Sequence, residues 1–120
     1  MPRQCLDKNI KISPADGRVS VIFDGRVIAT STRALALDEP GAPLRIYIPR
    51  DDVEADVLAN SATQTTCPYK GEASYHTLKS AAAEARDAVW YYPDPCPLVA
   101  PIADHLAFWG NQIRYETAAA

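Results

Sequence analysis

Glycine is scarce in this 120-residue chain, with five residues, all scattered. No Gly-rich run can cradle a phosphate, and no Gly-x-Ser-x-Gly turn can lift a nucleophile above a sheet. Cysteine is scarcer. Cys5, Cys67 and Cys96 are too few and too far apart for a disulfide framework, so reduced thiols in a cytoplasmic protein are the expectation. No Cys-x-x-Cys pair offers ligands to a structural zinc. The two histidines, His76 and His105, lie 29 positions apart without helical spacing, so neither a metal nor a cofactor is expected. Lys and Arg total 12 against 15 Asp and Glu, a net charge of -3. Without a basic surplus, phosphate neutralisation cannot drive binding, and nucleic acid is not an expected partner. No apolar run approaches the ~18–20 residues of a membrane span, and Met1 to Ile12 is polar, without the apolar core of a signal peptide. No membrane association is expected. These absences exclude membrane spans, disulfide scaffolds, fibres and coiled coils.

What the chain has in excess is proline, ten residues that cut it into short pieces and argue against long helices. Most pieces read as strands. In Arg18 to Phe23, Val19, Val21 and Phe23 share one face. Asp24-Gly25 follows, then Arg26 to Thr30, and Asp-Gly between two β-branched runs predicts a tight hairpin. Ala34 to Asp38 and Leu44 to Ile48 are the next two strands, around a turn at Glu39 to Pro43. Leu44, Ile46 and Ile48 share one face of the latter, Arg45 and Tyr47 the other. A helix is predicted over Arg50 to Leu58, with Pro49 at its start, Asp51 and Asp52 in its first turn, and Val53, Val57 and Leu58 as its apolar stripe. Gln64 to Cys67 and Ala73 to Leu78 are further strands, joined by a turn at Pro68 to Gly71. Propensity alone favours a helix near Ser80 to Ala85. A short helix fits Val99 to His105, and Leu106 to Trp109 with Ile113 to Tyr115 read as a closing pair of strands. The sum is a single mainly β domain over residues 1–120. It is a compact antiparallel sheet of about eight or nine short strands with one or two short helices. Its core spans about residues 10–115, with residues 1–8 and 117–120 expected to be loose.

Two segments carry the chemistry. Cys67-Pro68-Tyr69-Lys70-Gly71-Glu72-Ala73-Ser74-Tyr75 gathers a thiol, an amine, a carboxylate and two phenols around one turn. An ammonium at Lys70 would favour the Cys67 thiolate. Val89-Trp90-Tyr91-Tyr92-Pro93-Asp94-Pro95 alternates so that Trp90 and Tyr92 share a face, ahead of an Asp in a proline-stiffened loop. Aromatics with a few polar groups are what lines a small-ligand pocket. Arg33 and Arg50 could each clamp a carboxylate or phosphate.

In order, Gly17-Arg18-Val19, Phe23 to Ala29, Thr32-Arg33-Ala34, Tyr47 to Val53, the Cys67 to Tyr75 block, Ala88 to Pro95, Val99 to Ile102 and Leu106-Ala107-Phe108 resemble a widespread bacterial domain of unknown function. It is number four hundred and twenty-seven in that series and is also labelled nucleotidyltransferase family nine. The resemblance runs from about Ile10 to Tyr115. It implies a small, mostly antiparallel β domain in which Ala73 to Leu78 and Glu84 to Tyr92 are strands joined near Ala81 to Ala83, in place of the helix that propensity suggests. It assigns no activity. From the residues themselves, nucleotidyl transfer lacks a phosphate cradle, since no Gly-Ser loop precedes Asp51-Asp52.

Three functions are open at this level. The first is a domain binding a small molecule, anionic where basic residues engage it. Its pocket would be formed by Tyr69, Tyr75, Trp90 and Tyr92 with Arg33, Arg50, Lys70 and Asp94. The second is an enzyme with Cys67 as nucleophile, Lys70 as activator and Tyr75 or Asp94 in proton transfer. The third is an interaction module that pairs through an exposed strand edge.

Overall fold

The computed structural model describes residues 4–119. Ten strands run in chain order: β1 (Lys11–Pro14), β2 (Arg18–Phe23), β3 (Arg26–Ser31), β4 (Leu35–Asp38), β5 (Arg45–Pro49), β6 (Leu58–Cys67), β7 (Gly71–Lys79), β8 (Glu84–Tyr91), β9 (His105–Phe108) and β10 (Ile113–Ala118). Every pairing is antiparallel. Seven strands form one sheet in the order β1-β4-β5-β9-β8-β7-β6, and three form a second in the order β10-β2-β3. The mainly β class holds.

The β2–β3 hairpin turns through Asp24 and Gly25, at φ 53° and 72°, the left-handed pair that an Asp-Gly turn supplies. β7 and β8 join through Ser80 to Ala83, where the Ser80 N–H donates to the Ala83 carbonyl at 2.9 Å. A hairpin therefore replaces the helix favoured by local propensity.

The two faces of the large sheet are both covered, by different material. On one face Ile48, Leu78, Val89, Leu106 and Phe108 pack against Val19, Val21, Phe23 and Ile28 of the small sheet. On the other, Leu37, Tyr47, Ala73, Tyr92 and Ala107 pack beneath Cys96, Val99 and Ile102. Because alternate residues of a strand point to opposite faces, β5 carries Ile48 into the first cluster and Tyr47 into the second. Tyr47 is 1% exposed and Ile48 is fully buried, so neighbours on opposite faces of β5 both lie in the interior.

Three expectations are corrected. The helix over Arg50 to Leu58 is two single 3-10 turns, Arg50–Asp52 and Ala55–Val57. Val53 bridges Ala29, the Glu54 N–H donates to the Ile28 carbonyl at 2.8 Å, and Leu58 already pairs with Leu78. Pairing with β3 and β7 satisfies this backbone, and a helix this short has little stability of its own to compete. The last two strands are not a pair. β9 lies between β5 and β8, whereas β10 crosses to the small sheet beside β2. The Tyr115 hydroxyl stitches the layers together by accepting from the Phe108 N–H at 3.1 Å.

The third correction concerns the thiols. Cys5 and Cys96 are joined in a disulfide across 91 positions, their Cα atoms 5.6 Å apart, and Cys67 is the free cysteine. The Leu6 N–H donates to the Pro68 carbonyl and the Cys96 N–H to the Lys70 carbonyl, each at 2.8 Å. The N-terminal segment is thus tied at Cys5 and Leu6, within the stretch expected to be loose. At the other end β10 takes in Thr117 and Ala118, paired with Val19 and Arg18. Met1 to Arg3 and Ala120 lie outside the described residues. Among the described residues no helix is long and apolar enough to cross a membrane.

Candidate functional site

On the second face of the large sheet, register aligns one row of side chains across five strands. Leu35 sits opposite Tyr47, Tyr47 opposite Ala107, Ala107 opposite Trp90, and Trp90 opposite Tyr75. Ala107 is the small member between two large rings. The Trp90 Nε1–H reaches past it to donate to the Tyr47 hydroxyl at 3.2 Å. Tyr47, Trp90 and Tyr75 of this row line a cavity of about 300 Å³. Tyr75, Trp90, Tyr92 and Tyr47 supply its aromatic surface, Leu37, Ala42 and Pro43 its aliphatic surface, and Glu39, Arg45 and Lys70 its charges.

The charges are unequal in their partners. Glu39 accepts from Lys70 in a close ion pair and from Lys8 at 3.1 Å. Burial alone would raise the Glu39 carboxyl, but the two ammonium groups outweigh it and hold it below its ordinary value. Arg45 has a different setting. Its guanidinium lies 5.4 Å from the Trp90 ring centroid and 4.5 Å from that of Trp109. Among the described residues it pairs with no carboxylate. Burial pushes the Tyr47 phenol up to about 12, against the opposing pull of the Trp90 hydrogen bond and the Arg45 charge. Burial raises the Tyr92 phenol as well, so both hydroxyls keep their protons at neutral pH.

Four of the residues singled out in the sequence meet at this cavity: Lys70, Tyr75, Trp90 and Tyr92. The other four lie elsewhere. Arg33 is on the surface in an ion pair with Asp52 at 3.1 Å. Arg50 lies at 3.1 Å from Nε2 of His76 and over the Tyr91 ring. Tyr69 lies under Lys8, whose ammonium is 4.9 Å from its ring centroid. Asp94 borders a neighbouring cleft of about 610 Å³ together with Cys67, Pro68 and Glu72. The Lys70 ammonium stands 3.9 Å from the Cys67 sulfur, so the turn does bring amine to thiol, but the same ammonium is bound to Glu39. Tyr75, the phenol assigned to proton transfer, is hydrogen-bonded to Thr65 at 2.8 Å.

Sequence reasoning missed Glu39, Arg45 and Tyr47. The signal for two of them was present, since Arg45 and Tyr47 share a strand face. That face reads as the solvent side until the loop around Cys96 is known to fold over it. Among the described residues no group of three His, Cys, Asp or Glu side chains is placed to hold a metal ion.

The fold and cavity define a class: a small antiparallel β domain whose large sheet is covered on both faces, with an aromatic, net basic hollow on one of them. The chain belongs to the family described as a domain of unknown function (DUF427), whose model, NTP_transf_9, matches residues 11–119. No curated protein matches it.

Proposed function

We propose that the domain binds a small molecule in the cavity between Trp90, Tyr47 and Lys70. One observation carries this reading: Arg45, held between two indole rings and without a carboxylate partner among the described residues, opens onto an aromatic hollow. A guanidinium so placed is orientated before any ligand arrives, which lowers the ordering cost of binding. The volume, about 300 Å³, is at the lower end of the roughly 300–1,000 Å³ of small-molecule sites, which favours a compact ligand. A thermal-shift screen of small metabolites tests the reading, repeated on Ala42→Trp. Ala42 is exposed and lines the cavity, so an indole there obstructs the hollow at little cost to folding. A compound that raises the melting midpoint of the unmodified protein and not of the variant supports the reading. Hits shared equally by both proteins count against it.

A Cys67-centred enzyme is the second reading, favoured by the 3.9 Å approach of Lys70 to the sulfur. Glu39 offsets the ammonium charge that the thiolate would need, and this places binding ahead of catalysis. Nucleotidyl transfer has less support. Asp52, the second carboxylate of its Asp-Asp pair, is engaged by Ser31 and Arg33.

A further inference from the structure

The Tyr92 side chain is 94% buried, since only 6% of it is exposed, and it borders the cavity. Its hydroxyl has no hydrogen-bond partner among the described residues, yet it is not sealed from the hollow, because no buried side-chain oxygen or nitrogen in the described structure is left both enclosed and unpaired. Tyr47, Tyr75 and Glu39 line the same hollow beside it. Tyr47 adds a second proton. Its oxygen accepts from the Trp90 indole, which leaves its own O–H to donate, and no acceptor for it is present among the described residues. Two phenolic donors thus border one small space, and neither donates to a protein acceptor among the described residues. Because the Tyr92 hydroxyl is open to the hollow, it is available to donate to an oxygen that arrives with a ligand and displaces water.

The surrounding charge says which oxygen. Lys70 and Lys8 share the single carboxylate of Glu39, and Arg45 adds an uncompensated guanidinium. The hollow therefore carries a positive surplus, and hydrogen bonds from a neutral donor to an anionic oxygen are stronger than those to a neutral one. The four aromatic side chains that line the hollow, Tyr47, Tyr75, Trp90 and Tyr92, suit a planar body.

We infer that the cavity recognises a small planar carboxylate, one oxygen of which accepts from Tyr47 and Tyr92 while Arg45 supplies the countercharge. This rests on the reading of the cavity as a small-molecule site and names its ligand class. A phosphate monoester fits less well, since its dianionic tetrahedral group is bulkier than a planar carboxylate in a hollow of about 300 Å³ whose one uncompensated cation is Arg45.

The test is calorimetric titration of the intact, oxidised protein with three probes of one shape: benzoate, benzamide and benzylammonium. Benzoate is expected to bind, benzamide to bind at least about tenfold more weakly, and benzylammonium not to bind. Tyr92→Phe is expected to weaken benzoate by about tenfold or more while leaving the melting midpoint unlowered, because the hydroxyl it removes has no protein partner. A merely structural tyrosine would show the reverse, a lowered midpoint with unchanged benzoate affinity. Equal binding of benzoate and benzamide, or an unchanged benzoate affinity in Tyr92→Phe, overturns the carboxylate inference and leaves the small-molecule cavity standing. Failure of all three probes at millimolar concentration overturns the inference; if the metabolite screen also finds no compound sensitive to Ala42→Trp, the binding reading falls with it.

Discussion

At the scale of single residues, partners decide what each polar group does. Three arginines illustrate it. Arg33 is neutralised by Asp52, Arg50 is packed against His76 and Tyr91, and Arg45 lies between two indoles facing a cavity. In the sequence all three are arginines within or beside β-rich segments, and nothing local distinguishes them. His76 has a consequence that can be measured. It is 7% exposed, stacked on Tyr91 at 4.8 Å between ring centroids, with Nδ1 3.3 Å from the Ala59 carbonyl and Nε2 facing Arg50. Burial first, then the Arg50 charge, lowers its pKa from the ordinary 6.5. The unfolded chain therefore takes up this proton at a higher pH than the folded one. The contribution of His76 to stability is complete above about pH 6.5 and declines as pH falls from there toward the folded value. Glu39, Asp52 and Asp87 are also lowered, but from ordinary values near 4, so their loss comes at more acid pH. Urea midpoints taken from about pH 7.5 to about pH 5.5 should fall for the unmodified protein and stay flatter for His76→Gln, whose amide can keep both hydrogen bonds. Parallel pH profiles for the two proteins would contradict this.

At the scale of elements, irregularities in the large sheet are held by side chains. β6 shifts register between Asn60 and Gln64, and the β7–β8 pairing shifts between His76 and Leu78. Asp87 couples the two. Its backbone is left-handed, at φ 53°, its N–H donates to the Thr77 hydroxyl at 3.1 Å, and its carboxylate accepts from Ser61 at 2.5 Å and Thr63 at 2.8 Å. β8 thereby reaches over β7 to the edge strand β6. Bulged strands bend and twist, and this bend lies toward one end of the sheet that carries Tyr75 and Trp90. Asp87→Ala removes both accepted bonds and leaves at positive φ a residue without the short polar side chain that lets Asp and Asn tolerate it, and is expected to cost about 1–3 kcal/mol. Asp87→Asn, which tolerates that φ and can still accept a hydroxyl, should cost less. Chemical denaturation distinguishes the two, and equal costs would contradict a role for either the retained acceptor or the tolerated φ. The absent helix at Arg50 belongs to the same scale. The stripe of Val53, Val57 and Leu58 was read at a helical period, yet Val53 and Val57 reach the core from separate short turns whose backbone bonds to β3.

At the scale of the molecule, the Cys5–Cys96 disulfide closes most of the chain into one loop and anchors the segment that leads into β1. Cross-linking a long loop stabilises chiefly by limiting the unfolded chain. Cys5→Ser with Cys96→Ser is expected to lower stability by roughly 2–4 kcal/mol. In the native protein without reductant, iodoacetamide should add one group, at Cys67 alone, and three after reduction and unfolding, read by intact mass. Three modifications before reduction would show the bond to be absent. Such a bond is favoured in an oxidising compartment, which is at odds with the cytoplasmic residence expected from the cysteine count.

Local chemistry determined the parts of this protein that depend on neighbours in the chain. The Asp24-Gly25 hairpin, the alternation of Val19, Val21 and Phe23, and the crowding of Lys70 toward Cys67 all follow from contacts a few residues apart. The composition excluded what it excluded for the same reason: a membrane span or a phosphate loop must be written contiguously. Tertiary structure decided the rest. Residue 5 met residue 96, β10 left β9 for the other sheet, and Arg45 and Tyr47 came to face a hollow instead of water. A strand's alternation says which side chains share a face, but not what covers that face. That depends on where distant segments fold: Cys96, Val99 and Ile102 cover part of this face, and the turn at Glu39 to Pro43 together with Lys70 walls the cavity beside the aromatic row.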